Sequence, residues 1–340
     1  MRVIKSNCTV EDSNICTYDE LNYSFGYREL SIIQITLDSL GIISNIVALL
    51  VLGHIKKRNR RFFQFLKIDT LTTLVSNINS LVLSLMFLVF VDNIYHLSNT
   101  SFVFFSRVEY INYFTYVYKM VWAIFYTMST CFDILLVYEK IQIYKRNTTF
   151  ITKRSAILIS SYIFLYSVIL NGPINMTRDV MKKEFNTSDE SFSIYSYGKR
   201  SLPKNLDSIL LGITIIFNIM REFGHLIMII AINITLIIVI KSHNKKKIKI
   251  NTHNKELVRQ NYLNDCKIVS IKSTYNGLLI CSVFFFNVDK LLGYDYLRSI
   301  LFQYVTSIVH SLRSTINLLL LLKYNKKFRQ NFFSNFRSEQ

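Results

Sequence analysis

The chain has 340 residues, 51% of them hydrophobic, with only 9 Gly and 2 Pro. A formal net charge of +18 would point to nucleic acid in a soluble chain. Here the apolar residues come instead in unbroken blocks of about twenty or more, the length one membrane-crossing helix needs. Backbone in lipid must satisfy its own hydrogen bonds, so such blocks must be helical, and buried helices of a soluble protein would need polar faces on most segments. No nucleic-acid partner is expected.

Residues 1–29 are read as an extracellular N-terminal segment. Met1–Val10 has no apolar run and cannot be a cleaved signal peptide, so the first span is expected to act as its own insertion signal. Seven spans follow, at Leu30–His54, Phe62–Val91, Val108–Ile143, Ala156–Met176, Leu206–Lys241, Ile268–Val288 and Tyr296–Tyr324. They make residues 30–324 a seven-transmembrane helix bundle. The third, fifth and seventh exceed the bilayer thickness and must tilt or project. Arg221, Glu222 and His225 interrupt the fifth, which leaves open a short outer helix, Leu206–Met220, leading into the true span. Residues 325–340 are read as an interfacial helix and cytoplasmic tail. Phe328, Phe332, Phe333 and Phe336 recur there at helical spacing behind Asn325-Lys326-Lys327, which suits a short helix lying on the membrane with its cations toward anionic lipid. The expected fold class is an all-α membrane protein, a seven-helix bundle with a short interfacial eighth helix.

Loop charge orients the bundle. Lys56, Lys57, Arg58, Arg60 and Arg61 fill the first loop, Lys145, Arg146, Lys153 and Arg154 the third, and Lys245, Lys246, Lys247, Lys249, Lys255 and Arg259 the fifth. With seven spans these all lie on one side, which is therefore cytoplasmic. The opposite side balances its bases with Glu11, Asp12, Asp19, Glu20, Asp179, Glu184, Asp189 and Glu190. Glycan acceptor patterns begin at Asn7, Asn22, Asn99, Asn175 and Asn186, on or next to that outer side. Asn147 matches too, but in an inner loop. The expected location is the plasma membrane, multi-pass, with the N-terminus outside.

Three short patches resemble the rhodopsin-like (class A) G-protein-coupled receptors. Counting back from Phe328-Arg329 reaches Asn317, in the place of the Asn of that family's Asn-Pro-x-x-Tyr, with Leu318 and Leu321 replacing its Pro and Tyr. Gly41 to Val47 in the first helix is similar to the family's Gly-x-x-x-Asn-x-Val and includes Asn45. Glu139-Lys140-Ile141 occupies the place of the Asp/Glu-Arg-Tyr triplet at the inner end of the third helix. The resemblance implies a divergent member, because the family's outer disulfide is missing: neither Phe102–Tyr118 nor Met176–Pro203 contains Cys. Of the 5 Cys only Cys8 and Cys16 are outside, where they could pair with each other. Helices five to seven contain no Pro, and the single Trp, Trp122, is in helix three.

Polar residues inside spans are costly and default to functional candidates. In helix three Lys119, Tyr126 and Asp133 share a face, with Trp122 beside them, and His310, Arg313 and Asn317 share one in helix seven. Asp133 and Arg313 sit at similar depth and are expected to pair, with Asn45 and Asn77 nearby. In the family a carboxylate at this level binds sodium, so the resemblance implies that a built-in Arg replaces the ion. A static ion pair with no switching role is the competing reading. The switch and coupling set is thus Asn45, Asp133, Glu139, Lys140, Arg313 and Asn317. Lys140 keeps the charge of the family's Arg but loses its planar fork.

The ligand pocket is expected at the outer helix ends, from Lys119, Trp122, Tyr126, Arg221, Glu222, His225 and Tyr304. The resemblance puts Trp122 where amine receptors carry Asp, which leaves an amine without its counter-ion. It puts Ser311 where opsins carry the retinal Lys, which excludes an opsin. Mixed charge and aromatic lining suits a peptide better than a hydrocarbon. No His-Glu-x-x-His or Gly-x-Ser-x-Gly occurs, and the 6 His have no metal-ligand spacing, so neither an enzyme, a metal site nor a cofactor is expected. The function read is transduction of an extracellular ligand to a heterotrimeric G protein. A secondary transporter or channel, and a seven-helix chemoreceptor acting without G proteins, stay open.

Overall fold

The computed structural model describes residues 2–6, 18–21, 25–54, 60–90, 93–97, 103–105, 107–145, 154–176, 178–186, 191–247, 264, 266–278, 280–281 and 296–337. The architecture is mostly helical. Helix α1 covers Phe25–His54 and α2 covers Arg60–Phe90. Helix α3 begins at Val108–Asn112, passes a π-turn at Tyr113–Tyr118 and continues through Lys119–Lys145. Helix α4 is Arg154–Met176, with Pro173 inside its last turn. Helix α5 runs Lys204–Ile219, a π-turn at Met220–Gly224, then His225–Lys247. Residues 266–278 and 280–281 belong to α6. Helix α7 is Tyr296–Tyr324 and α8 is Lys326–Arg337.

Five stretches among the described residues are long and apolar enough to cross a membrane: Glu29–His54, Phe62–Val89, Val108–Gln142, Ala156–Pro173 and Lys204–Ile240. They coincide with the first five expected spans. Of the other two expected spans, Ile268–Val288 falls on α6, part of which lies outside the described residues, and Tyr296–Tyr324 coincides with α7, which is not among the five. The fifth span is one helix: the interruption at Arg221 and Glu222 is absorbed by the π-turn, where an extra residue is accommodated without a break.

Polar groups inside these helices are largely satisfied locally. Thr36, Thr70, Thr127, Ser160 and Ser167 each donate to the carbonyl four residues back. The end of the bundle where α1 and α7 finish packs around Leu52, Phe65, Phe132, Leu136, Leu321 and Phe328. Apolar side chains also point outward, for instance Ile157, Leu165 and Ile169 on α4 and Ile209, Ile227 and Ile238 on α5. That surface is costly in water and ordinary against lipid.

The structure departs from an all-α fold in one place. Strands β1 (Arg2–Ser6), β2 (Tyr18–Leu21), β3 (Asn93–Leu97), β4 (Val103–Phe105), β5 (Arg178–Asn186) and β6 (Ser191–Lys199) form one sheet in the order β2-β1-β3-β4-β6-β5. Strands β1 and β3 are parallel and the other pairs antiparallel. The stretch Ser191 to Tyr197 is rich in aromatic and β-branched residues, which favour a strand. Backbone ladders thus join the segment before α1, the α2–α3 connection and the α4–α5 connection. The register Phe105 to Tyr195 ties those two connections directly, where the sequence lacks a disulfide.

Candidate functional site

Two buried polar groups occupy different levels of the helix bundle. The deeper one joins four helices. Asp69 of α2 and Asp133 of α3 face Lys272 of α6 and Arg313 of α7, all four nearly inaccessible. The Arg313 guanidinium donates to Asp133 Oδ2 at 2.6 Å and stands 3.7 Å from Asp69 Oδ1. Lys272 Nζ binds Asp69 Oδ2 and lies 3.3 Å from Asp133 Oδ1. Ser129 donates to Asp69 Oδ1 at 2.5 Å, and Arg313 Nη1 donates to Asn276 Oδ1 at 3.2 Å. Two acids and two bases cancel, which is the condition under which charges tolerate burial.

The second group gathers at the α5 π-turn. Arg221 donates to Asn171 Oδ1 of α4 at 2.9 Å and to Glu222 Oε1 at 2.8 Å. Asn171 Nδ2 continues to Thr127 Oγ1 of α3 at 3.1 Å. His225 Nε2 lies 3.4 Å from the Tyr166 hydroxyl and 3.8 Å from Cys131 Sγ. The Trp122 and Tyr126 rings stack in parallel with centroids 5.0 Å apart. Arg221 thus reaches α4 from the π-turn, and the buried Glu222 pairs with Arg221 within the same turn.

The β5–β6 hairpin closes the nearby end. Val180 and Tyr195 pack against a cluster built on Phe87, Tyr110, Phe114 and Tyr118, and Trp122 borders the same cluster. Lys119 Nζ sits 4.3 Å from the centre of the Phe114 ring. Tyr116 donates to Asp179 Oδ1 at 2.5 Å, and the Val180 amide also donates to that oxygen. These bonds, with Arg200 beside them, hold the Asp179 carboxyl below its ordinary value.

Both groups include residues of α3. Thr127 meets Asn171, Thr130 receives Asn276 Nδ2 at 3.3 Å, and Asp133 meets Arg313. At about 100° per residue Thr127 and Asp133 point roughly 120° apart, so the three positions step around α3 from the α4 side toward α7.

Of the residues singled out in the sequence, Asp133 and Arg313 meet directly, and Asn45, Asn77, Glu139 and Asn317 are buried. Lys140 is buried, with its ammonium 3.8 Å from the centre of the Phe62 ring of α2. Arg221, Glu222, His225, Trp122 and Tyr126 gather around the α5 π-turn, and Lys119 sits apart against the aromatic ladder below the hairpin. The side chains of Tyr304, Asn175 and Asn186, and the whole of Asn7, Cys8, Cys16, Asn22 and Asn99, lie outside the described residues. Sequence reasoning missed Asp69, Lys272, Asn276 and Asn171. The signal was present for the first two, since each is a charge inside an expected span.

No protein-family model matches the sequence, and no curated protein matches it. The chain is similar in structure to squid rhodopsin, with a TM-score of 0.63 at 14% identity, over 92% of this chain and 85% of that one. At that identity the likeness defines the fold: a rhodopsin-like arrangement of membrane helices.

Proposed function

We propose that the chain is a seven-span receptor of the plasma membrane, with its N-terminus outside, that transmits binding of an extracellular ligand to a heterotrimeric G protein. The observation that carries this reading is the ladder Thr127, Thr130, Asp133 on α3. It links a polar group shared with α4 and α5 to a charge cluster shared with α2, α6 and α7. Thr127 and Thr130 each donate to their own helix backbone, so a ligand that pulls on Arg221 or Asn171 acts on the α6 contacts through the body of α3. A receptor needs such an element, whose two arrangements are biased from both ends. The rhodopsin-like fold supports the reading by analogy.

In this reading residues 1–29 are extracellular, 30–324 form the bundle, and 325–340 lie on the inner leaflet with Lys326 and Arg329 toward anionic lipid. Trp122, Tyr126, Arg221, Glu222 and His225 contact the ligand, with Lys119 and Tyr304 above them. The β5–β6 hairpin covers the entrance. Paired opposite charges beside stacked aromatic rings suit a peptide. Glu139 and Lys140 lie at the coupling end, and Asn45, Asp133, Arg313 and Asn317 carry the switch. A built-in Arg313 stands where the family places sodium. Ser311 has no amine, so it cannot hold retinal as a Schiff base. Asn7, Asn22, Asn99, Asn175 and Asn186 are the glycan acceptors, and Cys8 and Cys16 the outer pair.

The test is a peptide-library screen on cells expressing the chain, read by G-protein activation. Activation whose half-maximal ligand concentration Arg221→Gln raises while surface expression persists would support the reading. Uptake or current driven by a solute, without a G-protein response, would favour a transporter or channel.

A further inference from the structure

Cys131 of α3, Tyr166 of α4 and His225 of α5 bring a thiol, a phenol and an imidazole together from three helices. Cys131 is a free, half-buried thiol and His225 is 1% exposed, while Tyr166, 36% exposed, leaves the group open at the bundle surface. Nothing in the linear sequence announces the group, because His225 lies 59 residues from Tyr166 and 94 from Cys131.

Both neighbours approach the same atom. His225 Nε2 stands 3.8 Å from Cys131 Sγ and 3.4 Å from the Tyr166 hydroxyl, each long for a hydrogen bond. A ring nitrogen offers one lone pair or one proton, so it cannot bond both neighbours fully. A single ion seated on that lone pair can take both. A first-row d10 ion keeps about 2.3 Å from a thiolate and about 2.0–2.1 Å from an imidazole or an oxygen. Bond angles of about 110–120° then set sulfur and nitrogen about 3.5–3.8 Å apart, and nitrogen and oxygen about 3.3–3.5 Å apart. The observed separations fall within both ranges.

We propose that Cys131, His225 and Tyr166 form a binding site for one cuprous ion between α3, α4 and α5. Thiolate and imidazole are donors that soft copper(I) favours, and the phenol oxygen adds a weak third. The Cys131 thiol gives its proton to solvent as the sulfur–copper bond forms, with no change of oxidation state. The thiolate cancels the single charge of the ion, which burial within a span requires. A divalent ion would leave a surplus positive charge on a helix where Arg221 is already balanced by Glu222. The ion would fasten α5 to α3 and α4 at the residue that follows the π-turn.

The test uses the full chain in nanodiscs, kept anaerobic with ascorbate, and copper(I) buffered by bicinchoninate. Loss of the coloured chelator complex counts the copper taken up, and X-ray absorption at the copper edge identifies its neighbours. The expected result is one copper per chain, with one sulfur and an imidazole in the spectrum. Cys131→Ser and His225→Gln should each abolish uptake at chelator concentrations that leave the parent chain loaded. Tyr166→Phe should weaken it roughly tenfold. Combining Cys8→Ala, Cys16→Ala, Cys266→Ala and Cys281→Ala leaves Cys131 as the only thiol, and this variant should bind as the parent does. It carries the test if Cys131→Ser fails to fold. No transfer from the chelator, uptake that survives Cys131→Ser, or a spectrum without sulfur would overturn the proposal. So would loss of uptake in the folded four-cysteine variant, or zinc competing at equal concentration. The site does not rest on the receptor reading, and no readout involves a ligand or a G protein, so the two fail independently.

Discussion

Lys272 Nζ and Asp133 Oδ1 stand 3.3 Å apart, so the acid that pairs with Arg313 is also shared with a second cation from α6. Four helices are therefore held by one neutral group of charges rather than by separate pairs. Moving α6 outward would separate Lys272 from both acids and Asn276 from both Thr130 and Arg313.

Removing one member leaves an uncompensated buried charge. Asp133→Asn and Arg313→Gln are each expected to cost about 3–5 kcal/mol and to lose surface expression. The double variant and the charge-swapped pair should recover part of it. Because Lys272 touches both acids, Lys272→Met with Asp133→Asn should also be less harmful than the sum of its parts. Fully additive losses across these combinations would show four independent residues.

Arg221→Gln leaves the buried Glu222 without its cation and Asn171 is itself buried, so both variants are compared at matched surface expression. Arg221→Gln and Asn171→Ala should each raise the half-maximal ligand concentration about ten- to a hundredfold, the loss of one charge-assisted hydrogen bond. Thr130→Val keeps the shape of the ladder but removes the acceptor for Asn276. It should lower maximal G-protein activation at unchanged ligand binding.

Asp179 predicts the acid sensitivity of the hairpin. A carboxyl held below its unfolded value of 3.8 stabilises the fold at pH above that value. The contribution is lost as pH falls through the lowered folded value. Hydrogen-exchange protection factors over 178–186 and 191–199, corrected for the intrinsic pH dependence of exchange, should therefore hold at neutral pH and fall only below about pH 4. Tyr116→Phe removes the largest cause of the shift and should move that onset upward. An onset unchanged by Tyr116→Phe would refute the assignment.

Helix α8 begins at a side-chain cap: Asn325 Oδ1 accepts the Phe328 amide at 2.9 Å, and its carbonyl accepts the Arg329 amide. Asn325→Ala should destabilise this helix by about 1 kcal/mol. Loss of protection at Phe328 and Arg329 in hydrogen exchange is the measurement. The fully buried Phe328 makes Phe328→Ala the more severe change, about 3–5 kcal/mol, because it opens a cavity against α1 and α7.

The Asp133–Arg313 pair was legible because depth can be counted from helix ends, and both residues are charges in otherwise apolar runs. Asp69 and Lys272 carry the same signal, yet their partners depend on how α2 and α6 are rotated toward α3. The β5–β6 hairpin was not read from the sequence, and neither was its pairing partner. A strand's period says nothing about which of several connections its backbone will bond.

The positions and lengths of the long apolar helices, and the charge asymmetry of the loops between them, were determined by the sequence alone. A hydrocarbon layer demands about twenty apolar residues per crossing, and that requirement acts on each segment locally. Only the tertiary structure decided that two acids and two bases form one group, and that a sheet links the connections at one end. Those outcomes depend on the rotation and approach of whole helices, which long-range packing sets and no local stretch of sequence encodes.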